Sequence, residues 1–161
     1  MAKLIVGIGE AVASKNPDDE IKTFALGSCV AVIILDPKTR AGAMVHIALP
    51  DSKIDPVKGQ QLPGYFADTG LPYLFKLLNK FDANPHAGLI IKLIGGANVL
   101  QQQDHFQIGK RNVTAIKKIF WDMNLPITAE DVGENHSRTV TVELKTGKVF
   151  VSSSDGREWR V

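Results

Sequence analysis

Residues 29–49 read CVAVIILDPKTRAGAMVHIAL, two apolar runs separated by a turn. The first, from Cys29 to Leu35, is apolar at every position and rich in β-branched Val and Ile, which is the pattern of a strand covered on both faces. Asp36-Pro37-Lys38-Thr39 supplies turn chemistry, with proline where its fixed φ suits a type I turn. The second run, from Ala43 to Leu49, returns as another strand. A hairpin that opposes Asp36 with Thr39 also opposes Cys29 with His46 when the register is continued outward.

That juxtaposition matters because Cys29 is the only cysteine among 161 residues. A thiolate is the nucleophile, a free thiol has a pKa of about 8.5, and a neighbouring imidazolium can lower it by stabilising the anion, after which the histidine returns a proton to the leaving group. A third group must orient the ring, and Thr23, on the strand expected over residues 21–26, offers a hydroxyl or a backbone carbonyl. Gly27-Ser28, just before the thiol, forms a tight bend whose N–H groups, with that of Cys29, suit an oxyanion. Pattern alone also admits a plainer reading. A lone cysteine opening a buried strand packs as a small hydrophobe, and a histidine among Met44, Val45, Ile47 and Ala48 serves as a core side chain.

The other histidines compete less well. His86 lies in the turn-like Asn84-Pro85-His86-Ala87-Gly88 and His105 in a polar stretch, while His136, the stronger rival as a site residue, lies in a loop, residues 133–138, that can border the site. None of the four has the close paired spacing of metal ligands, so no metal is expected.

Composition sets the outer bounds. The chain is 44% hydrophobic and 22% charged, with a net charge of +2, which is ordinary for a globular protein and leaves little electrostatic footprint for nucleic acid. Its length fits one domain spanning residues 1–161, large enough for a core without disulfide staples. A single cysteine fits a reducing, cytoplasmic setting. The N-terminal MAKLIVGIGEAVASK only loosely resembles a leader, since Glu10 interrupts its apolar stretch, and no segment approaches the ~20 apolar residues of a spanning helix.

Further strands are expected over residues 4–8, 88–94, 139–144 and 149–153, the last two as a hairpin about Lys145-Thr146-Gly147. A long exposed loop is expected over residues 51–64. Helices are expected over residues 65–81, with Pro72 delaying or kinking the first, and along the stripe Val113, Ile116, Ile119, Phe120, Met123. Gly95-Gly96 ends a buried strand where backbone can turn sharply or meet a ligand closely. Mixed strands and at least two helices make a layered α/β domain.

Several blocks together resemble the chemoreceptor glutamine deamidase family, CheD. They are Gly7-Ile8-Gly9-Glu10, Thr23 with Leu26-Gly27-Ser28-Cys29-Val30, Asp36-Pro37, residues 42–46 with Leu49-Pro50, Gly95-Gly96-Ala97, Ile108-Gly109-Lys110-Arg111-Asn112, Glu130-Asp131 and Thr146-Gly147-Lys148. The resemblance implies a three-layered α/β sandwich with mixed, largely antiparallel sheets, like that of deamidase toxins. It implies a catalytic Cys29, His46 and Thr23, and no cofactor. The implied reaction converts receptor glutamine side chains to glutamate, with methyl-glutamyl ester hydrolysis as a second possibility. Implied partners are the helical cytoplasmic bundle of a chemoreceptor and a CheC-type phosphatase, the latter also the basis of an alternative reading as a regulatory binding module. The loop around Gly95, Gly96 and Leu100 through Phe106, and the loop from Asp51, are candidate surfaces for substrate or partner. Gly133-Glu134 departs from the Gly-Gly that this family commonly carries, which leaves the role of that loop open.

Overall fold

A computed structural model describes residues 2–82, 88–98 and 107–161. It contains ten strands among the described residues: β1 (Lys3–Ile5), β2 (Ala11–Ser14), β3 (Glu20–Leu26), β4 (Val30–Leu35), β5 (Gly42–Ile47), β6 (Ile90–Gly95), β7 (Ala129–Val132), β8 (Arg138–Glu143), β9 (Lys148–Ser153) and β10 (Glu158–Arg160). Three α-helices join them: α1 (Pro56–Gln61), α2 (Ala67–Asn79) and α3 (Ile108–Asp122). The strands form two five-stranded mixed sheets, ordered β1-β3-β8-β9-β10 and β2-β5-β4-β6-β7. Only the β1/β3 and β6/β7 pairs are parallel.

Alternation along β4 explains why the chain folds in layers. Ala31, Ile33 and Leu35 pack with Ile21, Val140, Val142, Val149 and Val151 of the first sheet, whereas Val30, Val32 and Ile34 pack with Leu71, Leu74 and Leu78 of α2 and Ile116 and Phe120 of α3. Successive side chains of a strand point to opposite faces, so one uninterrupted apolar run serves both cores. The result is sheet on sheet with helices behind the second sheet, the three-layered α/β arrangement expected. At roughly 1.5 to 3 kcal/mol for each fully buried aliphatic side chain, β4 is the strand that ties the layers together.

The hairpin turn is longer than the sequence implies. Asp36 folds the loop around its own carboxylate, which accepts from the Lys38 N–H at 3.0 Å and the Thr39 hydroxyl at 2.8 Å, and Arg40 takes a left-handed φ of 68°. The closing pair is therefore Leu35 with Gly42, and His46 stands opposite Ala31 instead of Cys29. The expected register is wrong by two residues. A two-residue shift preserves the face of every side chain, whereas a shift of one would have reversed it.

Other expectations are corrected in detail. The region 51–64 is not a plain loop, since α1 and two short 3-10 turns occupy most of it; Asp55 caps α1 by accepting from the Lys58 N–H at 3.1 Å, with Pro56 in the first turn. Helix α2 starts ahead of Pro72 and runs through it. Strands β2, β7 and β10 were not expected. No helix among the described residues is long and apolar enough to cross a membrane.

Candidate active site

Thr23 and His46 come from different sheets and meet in the interface between them. Thr23, on β3, is fully buried, and His46, on β5, is 3% exposed. The Thr23 hydroxyl lies 2.6 Å from the Val6 carbonyl oxygen and 2.7 Å from Nδ1 of His46. Chemistry settles the direction of both bonds. A carbonyl can only accept, so the single hydroxyl proton of Thr23 goes to Val6, and the hydroxyl oxygen must accept from His46. The neutral ring is therefore protonated on Nδ1, and Nε2 carries the lone pair. That Nε2 is buried and has no hydrogen-bond partner among the described residues.

Backbone contacts hold the ring in place. The His46 carbonyl accepts from the Gly9 N–H at 2.8 Å, and its N–H donates to the Glu10 carbonyl at 3.1 Å. Glu10 in turn closes its own turn by accepting from the Gly7 N–H at 2.7 Å. A bulge in β3 between Thr23 and Leu26, with Ala25 at a φ of 53°, interrupts the pairing with β8 immediately after Thr23.

Cys29 is partly exposed and lies one residue before β4. By alternation it belongs to the face of Ala31 and Ile33, and it packs against the inter-sheet core. Ala31 is the cross-strand partner of His46, so thiol and imidazole share a face as diagonal neighbours. The carbonyls around the thiol are all engaged: Gly27 accepts from the Ala97 N–H at 2.8 Å, Cys29 from the Gly96 N–H at 2.8 Å, and Ser28 from the Asn112 amide at 2.9 Å. Gly95 and Gly96 are buried, and Gly95 lies close against the Cys29 backbone. Leu100, the rest of the loop to Phe106, His86 and His105 lie outside the described residues.

Burial makes the resting pair neutral. It pushes the Cys29 thiol up from its ordinary pKa and lowers that of His46 to about 4. Both shifts favour the neutral thiol and the neutral imidazole over a thiolate–imidazolium pair.

His136 is placed elsewhere, edge-on to Trp159 with ring centroids 5.8 Å apart. Its loop belongs to a brace between the sheets. The fully buried Arg138 of β8 donates to the Gly133 carbonyl at 3.0 Å and faces Asp131 at 3.4 Å, while the Trp159 indole donates to Asp131 at 2.6 Å. Asn112 went unassigned in the sequence, although it lies on the buried stripe of α3, one turn before Ile116 and two before Phe120. A polar residue on such a stripe needs a partner, and that was the available signal. Among the described residues no group of three or more His, Cys, Asp or Glu side chains converges as metal ligands do.

Residues 48–153 match the family model described as CheD chemotactic sensory transduction. The chain is 48% identical to the probable chemoreceptor glutamine deamidase CheD of Syntrophotalea carbinolica over the whole of both chains. It is 46% identical to the probable chemoreceptor glutamine deamidase CheD 1 of Syntrophus aciditrophicus, with 97% of each chain covered. It is 41% identical to the chemoreceptor glutamine deamidase CheD of Thermotoga maritima, covering 97% of this chain and 95% of that one. The family model begins beyond His46, but these relatives span the Thr23, Cys29 and His46 region as well, and on both grounds the chain belongs to the CheD family.

Proposed function

We propose that this chain deamidates glutamine side chains of chemoreceptors, with Cys29 as nucleophile, His46 as base and acid, and Thr23 as the group that orients the ring. The observation that carries this reading is the committed Thr23 proton. Because it goes to Val6, the His46 ring presents an unpartnered Nε2 on the face that Cys29 shares.

The reaction follows from those roles. Nε2 of His46 takes the thiol proton as sulfur attacks the side-chain carbonyl carbon, and the carbonyl oxygen becomes an oxyanion opposite the N–H groups of Gly27, Ser28 and Cys29. The imidazolium then gives its proton to the amide nitrogen, the C–N bond breaks, and ammonia leaves a thioester behind. Water, deprotonated by the same nitrogen, attacks the thioester; the C–S bond breaks, the sulfur recovers a proton, and a glutamate carboxylate is released.

The substrate on this reading is the helical cytoplasmic domain of a chemoreceptor, and the cytoplasm is the place of action. Incubating that domain with the protein and with Cys29→Ser, and following the mass of glutamine-containing peptides, tests it. Deamidation by the unaltered protein and none by Cys29→Ser is the expected result. An unmodified receptor, with tight binding of a CheC-type phosphatase retained, overturns the enzyme reading in favour of a regulatory module.

A further inference from the structure

We infer that Asn112 is a positioning residue, whose amide sets the spacing between Cys29 and His46 from behind the sheet. This rests on the catalytic reading of that pair. The regular β4/β5 ladder ends at Val30 with Ile47. Beyond it the chains part, because the N–H groups of Ala48 and Leu49 both turn to the Tyr65 carbonyl, at 2.9 and 3.1 Å. Just past that last pair, the segment before Cys29 and the segment after His46 have no backbone bond joining Ser28 to Ala48 among the described residues.

Asn112 fills that gap. It is fully buried, and its Nδ2 donates to the Ser28 carbonyl at 2.9 Å and to the Ala48 carbonyl at 3.0 Å. Ser28 is the residue before Cys29, and Ala48 is two residues after His46. One NH2 group, with two protons in a fixed plane, therefore ties together the strand ends that bear the two reacting side chains. Two carbonyl acceptors also decide which way the amide faces, since only nitrogen can donate to both.

The remaining oxygen shows what this arrangement costs. Oδ1 of Asn112 is buried without a partner among the described residues. An unpaired buried acceptor is unfavourable, and an apolar side chain of similar size would avoid it only by taking the donor away from the Ser28 and Ala48 carbonyls. What Asn112 supplies and an apolar residue cannot is one group bonded to both segments. Helix α3 supplies a rigid mount, because its next two turns are anchored in the core by Ile116 and Phe120.

The test compares the full chain with Asn112→Leu, Asn112→Ala, His46→Ala and the Asn112→Leu/His46→Ala double variant. Readouts are kcat and KM on the receptor cytoplasmic domain, the rate of Cys29 alkylation by iodoacetamide at neutral pH, and melting temperature. Both Asn112 variants are expected to stay folded and to lose about 10- to 100-fold in kcat with KM changed less than about threefold, because misplaced reacting groups slow chemistry and not binding. Alkylation is expected to slow in Asn112→Leu and in His46→Ala, with the double variant no slower than His46→Ala alone. Additive losses overturn the inference, as does near-normal kcat in Asn112→Leu. If both Asn112 variants melt below the assay temperature, Asn112 is a fold residue and the inference also fails. Full activity in His46→Ala overturns the underlying catalytic reading instead, which keeps the two failures distinct.

Discussion

The hydroxyl of Thr23 and Nδ1 of His46 are 2.7 Å apart, and this bond joins the two sheets of the sandwich at the point where the base must be held. Thr23→Val keeps the shape of the side chain and removes its oxygen. The His46 N–H and the Val6 carbonyl then lose their partner inside the core, a penalty of about 1 to 3 kcal/mol for a buried unsatisfied group. The ring is also freed to change tautomer, so kcat is expected to fall by more than the stability loss explains. Thr23→Ser, which retains the oxygen, is expected to recover most of the activity. Urea melts and steady-state deamidation on the three proteins check this, and equal activity in Thr23→Val and Thr23→Ser would remove Thr23 from the site.

Neutral thiol and neutral imidazole give a second expectation. Burial raises the Cys29 pKa, so the rate of thiol alkylation against pH should reach its midpoint above the free-thiol value of about 8.5 when no substrate is bound. This runs against the activated, low-pKa thiol that the sequence alone suggests. A midpoint well below the free-thiol value would show a preformed ion pair and require His46 to be charged at rest.

Much of this arrangement was legible in the sequence because it depends on face and not on distance. The apolar run of β4 showed a strand covered on both sides, and the parity of Cys29 and His46 survived a register error of two residues. The error itself came from Asp36, whose carboxylate organises a longer loop than the four-residue turn that Asp36-Pro37 suggests. Strand β2 was hidden because Ala11–Ser14 is short and built of small residues that also resemble a leader's cleavage site. Short helix α1 could have been read from Asp55-Pro56, a cap followed by proline, had proline not been taken as a loop signal. Asn112 could not be assigned a role from local pattern, since its partners lie 84 and 64 residues away in sequence.

Gly95 offers a direct test of the nucleophile's mount. Its φ is 117°, a conformation that suits glycine, and a Cβ there would run into the Cys29 carbonyl oxygen. Gly95→Ala must therefore both strain the end of β6 and push the backbone of Cys29. A loss of roughly 2 to 3 kcal/mol is expected from denaturant melts, in the range of a strained non-glycine residue with a steric clash. Deamidation should fall further than in a variant of equal instability remote from the site, such as Ile21→Val. Normal stability and activity in Gly95→Ala would mean that the β4/β6 junction is free to move and does not locate the thiol.

The acid side of the stability profile follows from His46. Its folded pKa of about 4 lies below the ordinary value of about 6.5. Above the ordinary value the ring is neutral in both folded and unfolded chains, and it contributes nothing to the pH dependence. Between the two values the unfolded chain takes up a proton that the folded chain does not, so stability falls as pH falls through this window. Below the folded value both states are protonated and the slope due to this residue ends. The whole difference amounts to about 3 kcal/mol. His46→Asn keeps an N–H able to donate to Thr23 and has no proton to gain, so its stability should decline less steeply between pH 6.5 and pH 4 than that of the unaltered protein. Urea midpoints across that range give the comparison. Parallel profiles for the two proteins would show that the ring ionises in the fold as easily as it does in water, and would contradict its burial as a neutral base.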